Sequence, residues 1–380
     1  GVKQGVAPYA VLMAVAARIA RRPVKWIEDR MEHLTAAGSA TNRVSTLEAA
    51  VMADGRVTAL RWDQVEDVGA YLKAPEPATL YRMHTCMTGA YDIPNLAIRN
   101  RVVVTNKTPT GLNRGFGGPQ VYFPLEQLMR KIGSVVGRDP LGIIRRNLVR
   151  PSSMPFTTPS GGVLDSGDYG ALVEQALLEG NFADLEDARQ RARRAGKLYG
   201  IGYAACVEPT ISNMGYITTV LSAQERERAG PKGGAQATAT VSVDPLGGVN
   251  VSIASTPQGQ GHRTVIGQVV ADALGIAPDV VHVNAELDTG RDPWSIASGN
   301  YSCRFAGAVA GAAWLAAGEL RTRLARVAAA KFDCSAEMLA FRDGKIIHRE
   351  NANISIDFKR LAGEGHWAAS TLPPDLPQAL

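Results

Sequence analysis

The chain has 380 residues, 45% of them hydrophobic and 20% charged, which is ordinary globular material long enough for two or three domains with sizeable cores. A formal charge of +5 over that length describes a solvated surface, not the concentrated basic face of a nucleic-acid binder. Cys86, Cys206, Cys303 and Cys334 form no C-x-x-C pair and the six histidines show no H-x-x-x-H spacing, so neither a zinc knuckle nor an iron–sulfur cluster is encoded.

The first helical pattern is Val11, Leu12, Val15, Ala16 and Ile19, after a polar loop from Gly1 to Pro8. Pro23 to Ile27 reads as a strand. Glu28 and Asp29 beside Trp26 are a candidate acid/base pair, with solvated charges at a strand-end turn as the simpler reading. Arg43–Leu47, Ala49–Met52 and Val57–Val65 alternate as antiparallel strands should, and Asp54-Gly55 supplies hairpin chemistry. Leu96–Val104 is a further strand. It leads into Asn113-Arg114-Gly115-Phe116-Gly117-Gly118 and then a helix, with Pro119 at its first position, one apolar face of Val121, Leu125, Leu128, Met129, Ile132, Val135 and Val136, and Gly137 as its stop.

Leu172–Leu178 and the charged Asp184–Lys197 predict two more helices, and a composition shift near Gly196 marks a domain boundary. Beyond it, Gly200–Val207 and Gly215–Leu221 read as strands and Gln224–Gly234 as a charged surface loop. Ala235–Val243 and Val249–Ser255 form a hairpin that delivers the chain to Gln258-Gly259-Gln260-Gly261-His262 and a helix from Arg263 to Leu274. A strand over Val280–Ala285, the turn Ile296-Ala297-Ser298-Gly299-Asn300 and a helix from about Arg304 to Ala329 follow. Strand, glycine turn and helix thus succeed one another in both halves, which predicts an α+β protein of two similar mixed sheet-and-helix units. No apolar run reaches the roughly 18 residues of a bilayer span.

Three glycine turns entering helices are three candidate anion cradles, because a helix start exposes unpaired N–H groups and glycine admits close approach of a ligand. Arg114 adds a planar cation suited to a phosphate or a polarised oxygen, and Phe116 a ring able to stack on a flat substrate. Gln258 and Gln260 can hold a heterocycle or a metal-bound oxygen, and His262 can touch a phosphate or serve helix-start polarity alone. Cys303 either approaches the ligand or, more simply, fills a small buried space. Each turn also has a purely structural reading, as a left-handed helix entry.

Arg114 to Gln120, the Gly259–His262 turn and the Ala297–Gly299 turn together resemble the molybdopterin-binding subunit of the xanthine oxidase and aldehyde oxidase family of molybdenum hydroxylases. Pro23–Trp26 with Glu28–Arg30, Ile93-Pro94-Asn95 and Asp165–Tyr169 agree in the same order along essentially the whole chain. The resemblance implies a molybdenum held by a pterin dithiolene with no side-chain metal ligands, carrying a cytosine dinucleotide, in two cofactor-binding domains over residues 1–196 and 197–380, the second incomplete at its C-terminus. It implies cofactor contacts from Gly1, Arg114, Gly115, Phe116, Gln258, Gly259, Gln260, Gly261, His262, Ile296, Ala297, Ser298 and Gly299, with Arg114 near the metal centre and Gln4 and Phe116 toward the substrate. Iron–sulfur and FAD subunits are the implied partners in a cytoplasmic hetero-oligomer that binds neither nucleic acid nor membrane.

The activity so implied is hydroxylation of an aldehyde or N-heterocycle with water-derived oxygen. Gln4 stands where purine-oxidising relatives place a glutamate, and Gly115 where carbon monoxide dehydrogenases place the copper-binding cysteine. The family's general-base glutamate has no match up to Leu380, so the chain reads as an inactive fragment. Two alternatives stay open: a purine or methylxanthine dehydrogenase subunit, and a non-catalytic cofactor-binding or assembly module.

Overall fold

The computed structural model describes residues 7–73, 76–111, 113–208, 222–229, 237–288, 290 and 303–374. They belong to two compact units, Gly1–Glu208 and Pro209–Leu380.

In the first unit, helix α1 (Ala7–Ala20) is apolar yet buries none of its residues, with Val11 65% and Ile19 78% exposed. Residues 23–27, expected as a strand, are exposed and join no ladder. Their local chemistry belongs to the helix that follows, α2 (Arg30–Ala36), whose start is closed by a capping box: Asp29 accepts from the Glu32 amide and Glu32 accepts from the Asp29 amide. Glu28 meets His33 Nδ1 at 2.7 Å, so both candidate acid/base residues are engaged in holding α2.

Strands β1 (Asn42–Val51) and β2 (Val57–Asp67) form the expected hairpin, with Gly55 at φ +87° in the turn and a bulge at Ala50/Val51. A short helix, α3 (Ala78–Tyr81), precedes β3 (Asn95–Val103), which pairs parallel to β2 and completes a three-stranded sheet in the order β1-β2-β3. Helix α4 (Pro119–Val136) ends at the left-handed Gly137. Its Val121, Leu125, Met129 and Ile132 share one core with Val57, Leu60 and Trp62 of β2, whereas Val135 of the expected apolar face stays 75% exposed. After α5 (Pro140–Asn147), the Asn147 side chain accepts from the Val57 amide at 2.8 Å and donates to the Gly55 carbonyl at 3.0 Å, tying the helix to the hairpin. The small pair β4 (Phe156–Thr157) and β5 (Val163–Leu164) leads to α6 (Tyr169–Glu179) and α7 (Phe182–Arg194).

Residues 201–208 alternate in burial as an extended segment does, but have no ladder partner among the described residues. Tyr203, Ala205 and Val207 instead pack against the α4 core, and the Ala205 amide donates to Glu126 of α4 at 3.1 Å. These contacts keep the chain in the first unit as far as Glu208, beyond the composition shift at Gly196.

The second unit opens with α8 (Ala223–Ala229), a short helix where a charged loop was expected; residues 215–221 lie outside the described residues. Strands β6 (Ala239–Val243) and β7 (Val249–Ile253) form a hairpin, α9 (His262–Leu274) follows, and β8 (Val281–Asn284) returns parallel to β7. A π-helical segment, Phe305–Ala310, runs into α10 (Gly311–Phe332). The antiparallel β9 (Leu339–Arg342), β10 (Lys345–His348) and β11 (Asn351–Asp357) and helix α11 (Phe358–Trp367) complete the unit. Ile266, Val270 and Leu274 of α9, Leu320 and Leu324 of α10 and Val249, Val251 and Ile253 of β7 form its core. Both units are therefore mixed, each with a hairpin extended by a parallel third strand. Among the described residues no helix is long and apolar enough to cross a membrane.

Candidate functional site

The turn before α4 reverses the chain through three consecutive positive φ values: Gly115 at +98°, Phe116 at +39° and Gly117 at +91°. Glycine accepts this backbone readily; a phenylalanine there is held by its surroundings. One constraint is steric. A Cβ on Gly117 would lie 2.1 Å from the carbonyl oxygen of Thr79 in α3, so only glycine fits against that helix. The other is polar: the guanidinium of Arg82, a residue that the sequence reading passed over, reaches the turn from beneath. Its Nη1 donates to the carbonyls of Phe116 (3.2 Å) and Gly115 (3.4 Å), and its Nη2 to Glu208 Oε1 (2.8 Å). The Arg82 side chain is 3% exposed, and its cation lies 5.7 Å from the centre of the Phe116 ring.

A second layer of buried charge supports α3. Thr79 Oγ1 donates to Glu76 Oε2 at 2.5 Å, and in the same sheet Arg43 Nε donates to Glu66 Oε2 at 2.5 Å. Burial pushes both carboxyls above the usual range; Arg43 pulls Glu66 partly back, while the Glu76 charge raises it further. Arg114, by contrast, is exposed, and among the described residues no carboxylate pairs with its guanidinium. Its amide donates to Asn113 Oδ1 at 2.8 Å.

The second turn enters α9 through Gly259 at φ +95° and Gly261 at φ +78°, and a Cβ on either would meet nothing within 4 Å. Gly261 is the N-cap, no side chain caps the helix, and the amides of His262, Arg263 and Thr264 precede any intrahelical acceptor. Gln260 is exposed and folds its Oε1 back onto the Gln258 amide at 2.5 Å. His262 faces inward. Its ring is 2% exposed and stacks on Phe305 at 3.7 Å, burial lowers its pKa, and its Nδ1 has no partner among the described residues. What His262 presents outward is its backbone amide.

Gly1, Gln4, Ile296, Ala297, Ser298 and Gly299 lie outside the described residues. Cys303 is exposed with φ +50°, not the small buried residue expected, because it occupies a left-handed turn ahead of the π-helical segment. Among the described residues no three histidine, cysteine or acidic side chains gather as they would around a bare metal ion.

Taken separately, each turn fits a piece of a large polar ligand. The α9 start offers an open, uncapped set of N–H donors beside glycines that leave space for an anion. The α4 turn offers an aromatic ring backed by the Arg82 guanidinium, an exposed Arg114, and the buried Gln120 Oε1, which lacks a partner among the described residues. Residues 1–148 match one family model described as a molybdopterin cofactor-binding domain, and residues 175–375 match a second with the same description. The chain belongs to the molybdopterin cofactor-binding domain family.

Other members of that family show where it sits. The chain is 32% identical over 378 residues to the nicotine 6-hydroxylase large subunit of Paenarthrobacter nicotinovorans, covering 98% of this chain and 44% of that protein. It is 30% identical to the carbon monoxide dehydrogenase large chain of Hydrogenophaga pseudoflava, over 87% of this chain and 40% of that one. Among solved structures, quinoline 2-oxidoreductase from Pseudomonas putida 86 superposes with a TM-score of 0.82 at 28% identity, over 98% of this chain and 46% of that chain. The molybdopterin cofactor-binding chain thus spans less than half the length of these relatives.

Proposed function

We propose that this chain is the cofactor-binding part of a molybdenum hydroxylase large subunit that oxidises an N-heterocycle or an aldehyde. The observation that carries the reading is the open glycine cradle at the α9 start of the second unit, in a chain whose two halves each match a molybdopterin cofactor-binding domain; in the first unit a glycine turn presents an aromatic. Two similar proteins are named for N-heterocycles, nicotine and quinoline, which favours a heterocycle over an aldehyde.

The bound molybdenum cofactor would supply a two-electron redox centre able to hydroxylate an electron-poor carbon with oxygen from water. The amides at the start of α9, flanked by Gly259 and Gly261, would receive its anionic group, and the cytosine dinucleotide form is the one we assign. Gln258 and Gln260 would hydrogen-bond to the cofactor, and the Ile296–Gly299 turn and Gly1 complete the proposed contacts. In the first unit, Gly115 and Gly117 set the backbone that presents the Phe116 ring, on which a flat substrate stacks with most of its edge free for chemistry. Gln4 would orient its polar edge, and Arg114 would lie near the metal centre. The proposed partners are iron–sulfur and FAD subunits, which carry the electrons away.

The test is production of the full-length subunit with its genomic neighbours in a host that makes molybdenum cofactor. About one molybdenum and one cytidine nucleotide per subunit are expected, with turnover of quinoline- or nicotine-like rings faster than of aldehydes or xanthine. A folded complex without molybdenum would refute the reading, and faster turnover of xanthine would favour the purine dehydrogenase alternative.

A further inference from the structure

We infer that Glu208 is a positioning residue for the Phe116 ring, acting through Arg82; the inference rests on the reading of the Phe116 turn as substrate-facing. Two side chains converge on this one carboxylate, which lies against the start of α4. Arg82 donates to its Oε1 at 2.8 Å, the Tyr122 hydroxyl of α4 shares its one proton between the Val207 carbonyl at 2.5 Å and Glu208 Oε2 at 3.1 Å, and Oε2 would lie 3.1 Å from a Cβ on Gly118. Gly118 is the N-cap of α4 and brings no capping side chain, so Glu208 places a negative charge at a helix start that lacks one of its own.

Arg82 needs that carboxylate. Its guanidinium is almost fully desolvated, and two of its three oxygen partners among the described residues are neutral carbonyls of the Phe116 turn, at 3.2 and 3.4 Å. A buried cation without a counter-charge is unstable, so removing Glu208 would drive the guanidinium toward water and away from the turn. The turn would then lose the Arg82 part of its restraint, while the contact of Gly117 with Thr79 remains. Phe116, at φ +39°, is the residue with most strain to release. Glu208 touches no reacting atom in this scheme; it fixes where the ring stands.

Two measurements on the full-length subunit in its complex test this. In cofactor-free protein, the amides of Phe116 and Gly118 are protected by bonds to Asn113 and Gly115 at 3.1 and 2.9 Å. In Glu208→Ala their hydrogen exchange should accelerate about ten-fold or more, the loss of one charge-assisted bond, with β2 exchange unchanged and Glu208→Gln intermediate. In the loaded complex, Glu208→Ala should raise KM for the heterocycle with molybdenum content unchanged. It should cost little further in a Phe116→Ala background, because the two act through one element. Unchanged turn exchange in Glu208→Ala and Glu208→Gln overturns the inference, as does full additivity with Phe116→Ala. Should Glu208→Ala not fold, Glu208→Gln and Arg82→Lys read the same turn amides. Faster turn exchange in a complex that turns over neither heterocycle nor aldehyde would uphold the positioning role while refuting the proposed activity.

Discussion

Replacing Gly117 by alanine should destabilise the first unit far more than the same change at Gly137, although both glycines are left-handed. At Gly137, φ is +67° and a Cβ meets nothing within 4 Å, so only the backbone term applies, about 1–2 kcal/mol for an L-residue in that region. At Gly117, φ is +91° and the new methyl would sit 2.1 Å from the Thr79 carbonyl oxygen and 3.2 Å from Met83 Cγ. A carbon and an oxygen must separate by roughly 1 Å more than that to reach ordinary contact. The neighbour that has to move is a buried backbone, since Thr79 is 0% exposed and anchored through Glu76. Overpacking of this kind adds about 1–3 kcal/mol, for a total of about 2–5 kcal/mol. Native-state hydrogen exchange of the β2 amides reads the first unit by itself, with β7 as the internal control. If Gly117→Ala and Gly137→Ala lower β2 protection by amounts within about 0.5 kcal/mol of each other, the steric argument for the turn is wrong.

Alanine at Gly259 or Gly261 should cost only the positive-φ backbone strain, about 1–2 kcal/mol, because neither Cβ meets a neighbour, yet should lower the molybdenum content of the assembled enzyme severely; metal analysis and a melt on the same samples separate the two effects. Glu66 and Glu76 hold their protons to a higher pH when folded than unfolded, so their contribution to stability is fullest below the ordinary 4.5 and declines as pH rises through their raised values. Glu76→Gln removes one of these groups and should flatten that decline in urea melts followed between pH 4 and pH 8. His262 titrates the other way: its lowered pKa means that the unfolded chain binds the proton first, so the second unit should weaken as pH falls below the ordinary 6.5. His262→Phe should keep the stack on Phe305 and abolish that acid sensitivity, whereas His262→Ala should cost about 2–4 kcal/mol at any pH, measured by urea unfolding.

Helices α4 and α9 were legible because their signals are local: Pro119 and Gly137 bracket one, and Gly261 and Gly275 the other. The β1–β2 hairpin was legible for the same reason, through alternation around Asp54-Gly55. Residues 23–27 and 201–207 show where local pattern misleads. Both read as strands, but a strand exists only if another edge meets it; neither has such a partner among the described residues, and composition carries no information on partners. The π-helical segment Phe305–Ala310 looked like ordinary helix, since one extra residue per turn leaves an alanine-rich pattern unchanged. In the candidate site, Arg114 and Phe116 stood out beside their glycines. Arg82 and Glu208 did not, because a pair 126 residues apart leaves no mark in either neighbourhood. A clue did exist for Arg82: it lies in a short stretch with Leu80, Met83, Cys86 and Met87, where an arginine must be buried with a partner.

The matching sheets of the two units carry an implication about ancestry. In each, a hairpin is joined by a third strand parallel to its second, but the long helix α9 comes before that third strand whereas α4 comes after it. If both units descend from one duplicated ancestor, position in the sheet sets the correspondence, and the counterpart of the β3–α4 passage is the β8–α10 passage. The α9 cradle would then correspond to the stretch between β2 and β3, where the first unit has the short α3 and a 3-10 turn at His84–Cys86. An internal alignment that superimposed the Phe116 turn on the Gln260 turn, attracted by their glycines, would be comparing inventions made separately.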